Sequence, residues 1–209
     1  MNKKISKDPY QQYYEGNALG QQFPSPNMVK LSQFFKKNGA NKILDFYCGA
    51  GRNSIFLSKK GFAVSGFDGS EIAIRKALET QEKVKTQVEF ELLEYQGRLP
   101  YEDEFFDAII VVRALYQARI KGIKEAIEEI RRVTKNAGYL YVESDQQIIW
   151  KARKSLGQIR TSERGTYVHD DGSYYHYFTK MELRTLFKGY KIVRFYFRDR
   201  KFYVLYQKV

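Results

Sequence analysis

The chain has 209 residues, a formal net charge of +12, an aromatic share of 16% and one cysteine. That length supports one sizeable core, and a lone cysteine excludes an internal disulfide or a cysteine-bound metal cluster. No apolar run approaches ~18 residues and the first fourteen residues are too polar for a signal peptide, so we expect a soluble, cytoplasmic protein with no membrane partner.

Residues 1–23 are polar and rich in tyrosine (Tyr10, Tyr13, Tyr14), with no clear period. Ser25 followed by Pro26 reads as a helix N-cap with proline at the first helical position. The helix runs to about residue 37, with Met28, Val29, Leu31, Phe34 and Phe35 as its apolar face, and Asn38-Gly39 closes it. Strand and helix then alternate for about a hundred residues. Strand 42–46 enters the turn Cys48-Gly49-Ala50-Gly51, and a helix follows over 52–60. Strand 63–67 ends at Asp68-Gly69, before a helix N-capped by Ser70 that reaches about residue 82. Strand 88–92 and a loop through Leu99-Pro100-Tyr101 lead to Phe106-Asp107 and strand 108–112. The unbroken apolar run of that strand predicts burial on both faces. Helix 121–133 and the turn Asn136-Ala137-Gly138 bring in strand 139–143.

Past Ser144 the pattern changes. Residues 145–172 are polar and basic. Segments 165–169 and 174–178 form a hairpin across Asp170-Asp171-Gly172-Ser173. Thr179 and Glu182 form a capping box for a helix to about residue 187. Strands 191–198 and 201–207 are joined so tightly at Asp199-Arg200 that they must run antiparallel. The predicted fold class is therefore α/β: a doubly wound, mostly parallel seven-stranded sheet, Rossmann-like, ending in an antiparallel edge hairpin. We expect one domain. It comprises an N-terminal lid and helix (1–40), a cofactor-binding core (41–144), an acceptor-side insertion (145–178) and a closing helix and hairpin (179–209).

The chemistry centres on residues 43–53. An apolar strand ends at Asp45-Phe46, a Gly-x-Gly turn follows, and the next helix points free N–H groups over the turn. Asp68, at the end of the following strand, stands where nucleoside-binding folds place a ribose-binding carboxylate. Ser54 occupies the third glycine position of a dinucleotide fingerprint, and no phosphate-cradling GxxxxGK[ST] loop occurs. The unit binds a nucleoside-like cofactor of another kind.

Asp45, the Gly49-x-Gly51 turn, Asp68, Leu99-Pro100-Tyr101, Phe106-Asp107 and the run from Ile127 to Gly138 together resemble the class I S-adenosylmethionine-dependent methyltransferases. The likeness is greatest to small-molecule methyltransferase domains of the ubiquinone-biosynthesis and tellurite-resistance types. It covers residues 38–145 well and 174–209 loosely, through His176-Tyr177-Phe178-Thr179 and the terminal hairpin.

The resemblance implies S-adenosyl-L-methionine as cofactor and methyl transfer as activity. Asp45, Gly49 and Gly51 would border the methionine part, Asp68 would accept from both ribose hydroxyls, and Arg113 would sit beside the methionine carboxylate. Glu94 stands in for the family's usual adenine-contacting aspartate, next to Tyr95. Cys48, Asn53 and Gly69 complete the cofactor wall, with Tyr14 as an N-terminal lid. Phe46-Tyr47 replaces smaller residues and is expected to narrow the mouth. The family's histidine after the fourth strand is missing; Leu115-Tyr116-Gln117 stands there. Tyr14, Tyr116, His169 and His176 are the remaining base candidates, although packing explains His176 better. Cys48 lies inside the cofactor turn and is no nucleophile, and no adenine-methylase Asp/Asn-Pro-Pro-Tyr/Phe segment follows the fourth strand.

The charge is uneven along the chain. Residues 1–42 hold 7 Lys/Arg against 2 Asp/Glu, residues 43–144 hold 15 against 16, and residues 145–209 hold 14 against 6. Basic flanks around a neutral core are either solvated faces or a match for an anionic partner. We therefore expect a small anionic acceptor met by some of Lys151, Arg153, Lys154, Arg160 and Arg164. The alternatives are an RNA or ribosome-associated methyltransferase, and a non-catalytic S-adenosylmethionine-binding protein.

Overall fold

The computed structural model describes residues 23–94, 97–145, 159–169 and 172–209. In chain order the elements are α1 (Met28–Lys37), β1 (Lys42–Phe46), α2 (Arg52–Lys59), β2 (Ala63–Asp68), α3 (Glu71–Val84), β3 (Val88–Leu92), β4 (Phe106–Val112), α4 (Ile120–Val133) and β5 (Thr134–Asp145). They continue with β6 (Ile159–Arg160), β7 (Thr166–Val168), β8 (Tyr174–His176), α5 (Lys180–Leu186), β9 (Tyr190–Arg198) and β10 (Lys201–Lys208). Seven strands form one sheet in the order β3-β2-β1-β4-β5-β10-β9. The first five are parallel, and β10 runs antiparallel to both β5 and β9. The fold class is the predicted one, with the last strand inserted between β5 and β9, so that β9 is the outer edge.

Two-residue alternation splits the core between the faces of the sheet. On one face Ile43, Ala108, Ile110, Tyr141, Tyr203 and Leu205 pack with Met28, Leu31 and Phe35 of α1 and Leu57 of α2. On the other, Leu44, Ile109, Val111, Leu140, Val142 and Val204 pack with Ile123, Ile127 and Ile130 of α4 and Leu183 of α5. Every residue from Ala108 to Val111 is fully buried, which is the two-faced burial expected of that apolar run. Asp107, one residue earlier, accepts from the backbone N–H groups of Asn41 and Lys42 at 2.9 and 2.7 Å and from Lys135 Nζ at 2.6 Å. One carboxylate thus pins the lower ends of β1, β4 and β5.

Several local readings hold. Ser70 caps α3, accepting from the Ala73 N–H, and Thr179 with Glu182 makes the reciprocal capping box of α5. β7 and β8 pair antiparallel, with Thr166 opposite His176 and Val168 opposite Tyr174. Ser25 departs from expectation. α1 begins at Met28 with Asn27 as its cap, and no side chain caps it. Ser25 instead bonds across the fold to Asn53 and Glu143, because a buried serine between two polar side chains is better satisfied there than at a solvated helix end. Strand β6, which pairs with β7, carried no sequence signal: two residues are too few to show a period. No helix among the described residues is long and apolar enough to cross a membrane.

Candidate cofactor site

The turn after β1 is left-handed at Tyr47 (φ 56°), Gly49 (φ 57°) and Gly51 (φ 75°). Glycine adopts this freely, whereas a side chain costs about 1–2 kcal/mol there. Tyr47 is held in place by its ring, which packs edge-on against Phe46 at 5.2 Å and tilted against Phe67 at 5.2 Å. Burial, then the nearby Asp68 and Glu94 carboxylates, push its hydroxyl up to about 12, so the phenol stays protonated between the ends of β1, β2 and β3.

Asp68 is buried at the end of β2. Its Oδ2 accepts from the Gly49 N–H at 2.9 Å and its Oδ1 from the Ser70 N–H at 3.0 Å. Each carboxylate oxygen can accept twice. The carboxylate is therefore aimed by two backbone donors beside the glycine turn. Cys48 N–H also donates to Phe67 O at 2.8 Å, which closes β1 onto β2. Gly66 allows that approach, since a Cβ there would lie 3.2 Å from Cys48 and Ser54.

Asp45 is almost fully buried and accepts from Ser54 Oγ at 2.6 Å. The serine in the third glycine position thus satisfies this acid. Burial raises the Asp45 carboxyl to about 6, against the lowering effects of Ser54 and Arg52. Its folded pKa lies above the unfolded value, so the folded chain keeps a proton that the unfolded chain has released between about pH 4 and pH 6. Stability is therefore highest below that window and falls as pH rises through it, by up to about 3 kcal/mol. Asp45→Asn should remove this dependence. Urea unfolding at pH 4 and pH 7 should show the variant gaining on the parent protein at the higher pH, and an equal difference at both would refute this reading of Asp45.

Asn53, buried in the first turn of α2, accepts the Ser25 N–H at 2.9 Å, while Ser25 Oγ donates to Glu143 Oε2 at 2.6 Å. Arg113, half-buried just past β4 at φ 59°, donates its N–H to Glu143 O at 2.8 Å. The residue entering α1, the start of α2 and the upper ends of β4 and β5 therefore meet at one point. Neither Ser25 nor Glu143 was among the expected site residues, and no local pattern marks a contact spanning that much chain. Gly69 and Glu94 lie exposed at the rim. Burial first, then Asp45 and Asp68, push the Cys48 thiol well above its ordinary value, so no thiolate forms there near neutrality.

Beside this turn, His176 N–H donates to Tyr116 O at 2.7 Å and joins β8 to the loop after β4. Tyr175 stands 5.7 Å from Tyr116 and 4.3 Å from the His169 ring. Arg119 lies 4.3 Å over the Tyr174 ring and donates to its hydroxyl at 2.7 Å. Of the base candidates, His176 is 1% exposed, with Nδ1 2.8 Å from Thr166 Oγ1 and Nε2 3.5 Å from Glu182. Burial lowers its pKa, so it packs as a neutral imidazole. Tyr116 is buried, His169 half-buried and Arg164 exposed. Tyr14, Tyr95, Lys151, Arg153, Lys154 and the side chain of Arg160 lie outside the described residues.

A carboxylate aimed by two N–H donors, a left-handed glycine turn and a helix start, on a sheet whose penultimate strand is antiparallel, define the class I S-adenosylmethionine-dependent methyltransferase fold. Residues 43–138 match the methyltransferase domain family. It is 31% identical over 99 residues to the probable S-adenosyl-L-methionine-dependent methyltransferase TehB of Haemophilus influenzae, covering 47% of this chain and 34% of that one. It is 47% identical over 71 residues to the tRNA (uracil(54)-C(5))-methyltransferase of Pyrococcus abyssi, covering 34% of this chain and 17% of that one. The chain thus spans about half the length or less of the curated relatives it matches. The structure of the PH0226 protein from Pyrococcus horikoshii superposes with a TM-score of 0.74 at 22% identity, over 95% of this chain and 99% of that one.

Proposed function

We propose that the chain transfers a methyl group from S-adenosylmethionine to a small anionic acceptor bound above the ends of β4 and β5. The observation that carries the cofactor half is the Asp68 carboxylate fixed by Gly49 and Ser70 N–H groups. The residues present fit the group. Asp68 offers paired acceptors to a ribose diol, Tyr47 and Glu94 flank the adenosine, and the Gly49–Gly51 turn with Asn53 and Arg113 borders the methionine. The cofactor supplies a sulfonium-activated methyl, so the protein has to align the acceptor and exclude water. Asp45, closed in beneath the turn, helps hold the ammonium end through its charge. A base is required only for an acceptor protonated at neutral pH, and His169 and Tyr116 are our candidates for it.

On the acceptor side the Tyr116, Tyr174, Tyr175 and His169 rings provide apolar walls. Arg119 and Arg164 offer positive charge, and we infer the same role for Lys151, Arg153, Lys154 and Arg160 from the basic stretch of sequence that holds them. Incubating the protein with cell extract and S-adenosylmethionine carrying a labelled methyl should place label in the small-molecule fraction. Label in RNA alone, or nowhere, refutes this. The second reading, an RNA acceptor, rests on the basic flanks and the 71-residue likeness to a tRNA methyltransferase. It requires RNA binding that weakens steeply as salt is added.

A further inference from the structure

A hollow away from the glycine turn lies on the α1 face of the sheet, between α1 and the strands β5, β9 and β10. It encloses about 480 Å³, within the range of small-molecule sites. Its floor is Tyr141, Tyr203 and Leu205, with Tyr196 stacked on Tyr203 at 4.8 Å and an interplanar angle of 11°. Leu31 and Phe34 of α1 form one wall. Lys30, Arg194, Arg198 and Asp199 stand at the rim, three cations against one carboxylate, and Asp199 pairs with Arg198 at 3.3 Å. Lys30 and Arg194 make no ion pair among the described residues.

We propose that this hollow is a second small-molecule site, separate from the cofactor site, that takes a planar aromatic carboxylate. Two observations converge on that class. The floor presents flat π surfaces, which favour a ring over an aliphatic chain. The rim carries surplus positive charge, which favours an anion and gives guanidinium a bidentate carboxylate to hold. Tyr141 adds apolar ring surface rather than a free donor, because its hydroxyl is buried beside the Asn27 and Tyr196 side chains. The phenols here stay protonated at neutral pH: burial, then Glu143, pushes Tyr203 up to about 12 and raises Tyr141 as well.

Benzoate is the probe. Protein saturated with S-adenosylhomocysteine should bind one equivalent of benzoate by calorimetry, with NMR shifts centred on Tyr196 and Tyr203. Arg194→Gln should weaken it about tenfold, the range for a hydrogen bond to a charged group. That variant should keep the parent affinity for S-adenosylhomocysteine. Benzyl alcohol, without the charge, and acetate, without the ring, should each bind at least about tenfold more weakly. Displacement of benzoate by S-adenosylhomocysteine, equal affinity in parent and variant, or no binding of benzoate would overturn the assignment. None of these outcomes bears on methyl transfer, so the two proposals stand or fall separately.

Discussion

Asp68→Ala is expected to weaken S-adenosylhomocysteine binding about 10- to 150-fold, the equivalent of the ~1.5–3 kcal/mol carried by hydrogen bonds to a charged group. The same substitution removes the acceptor for the Gly49 and Ser70 N–H groups, so it also destabilises the fold, by about 1–3 kcal/mol for each donor left buried and unpaired. The two effects separate with Asp68→Asn. Asparagine keeps one carbonyl oxygen for a backbone donor but loses the charge and the paired acceptors that a diol needs. Calorimetry on Asp68→Asn should therefore show most of the affinity loss, while its urea midpoint falls less than that of Asp68→Ala. A variant that unfolds more readily yet binds S-adenosylhomocysteine with unchanged affinity would show Asp68 to be a structural tie and place the ribose elsewhere.

Gly51→Ala should cost about 2–4 kcal/mol of stability and abolish measurable cofactor binding. Gly51 sits at φ 75° as the cap of α2. An added Cβ would lie 2.5 Å from Phe90 Cζ and 3.0 Å from Ala77 Cβ. Strain and crowding therefore act together, and relief by moving Phe90 pulls β3 away from the turn. Gly61 provides the control. It has φ 85° and nothing within 4 Å of an added Cβ, so Gly61→Ala should cost only the backbone term, about 1–2 kcal/mol. Equal urea midpoints for the two variants would mean that the packing between α2, α3 and β3 is looser than described.

Much of this was open to inspection in the primary structure. The βα alternation, the Ser70 cap, the Thr179–Glu182 box and both hairpins rest on contacts within a few residues, where period and side-chain type decide the outcome. The cofactor turn was legible for the same reason: its glycines and Asp45 lie within one short stretch, and Asp68 closes the very next strand. Tyr47 shows where such reading stops. A tyrosine in that place is written in the chain, but its left-handed backbone, with the ring packed against Phe46 and Phe67, is visible only in the fold.

By itself, then, the sequence determined a doubly wound sheet, its antiparallel closing pair and a nucleoside turn, because local periodicity and turn chemistry are short-range properties. The tertiary structure alone decided that β10 slots between β5 and β9, since a tight hairpin says which strands pair with each other and nothing about which one meets β5. It also decided that Ser25 leaves its helix to join Asn53 and Glu143. Above all, it decided that Tyr141, Tyr196 and Tyr203 meet Lys30 and Arg194 around one hollow. Those residues come from α1, β5, β9 and β10, and only burial of the apolar faces of those elements brings them together.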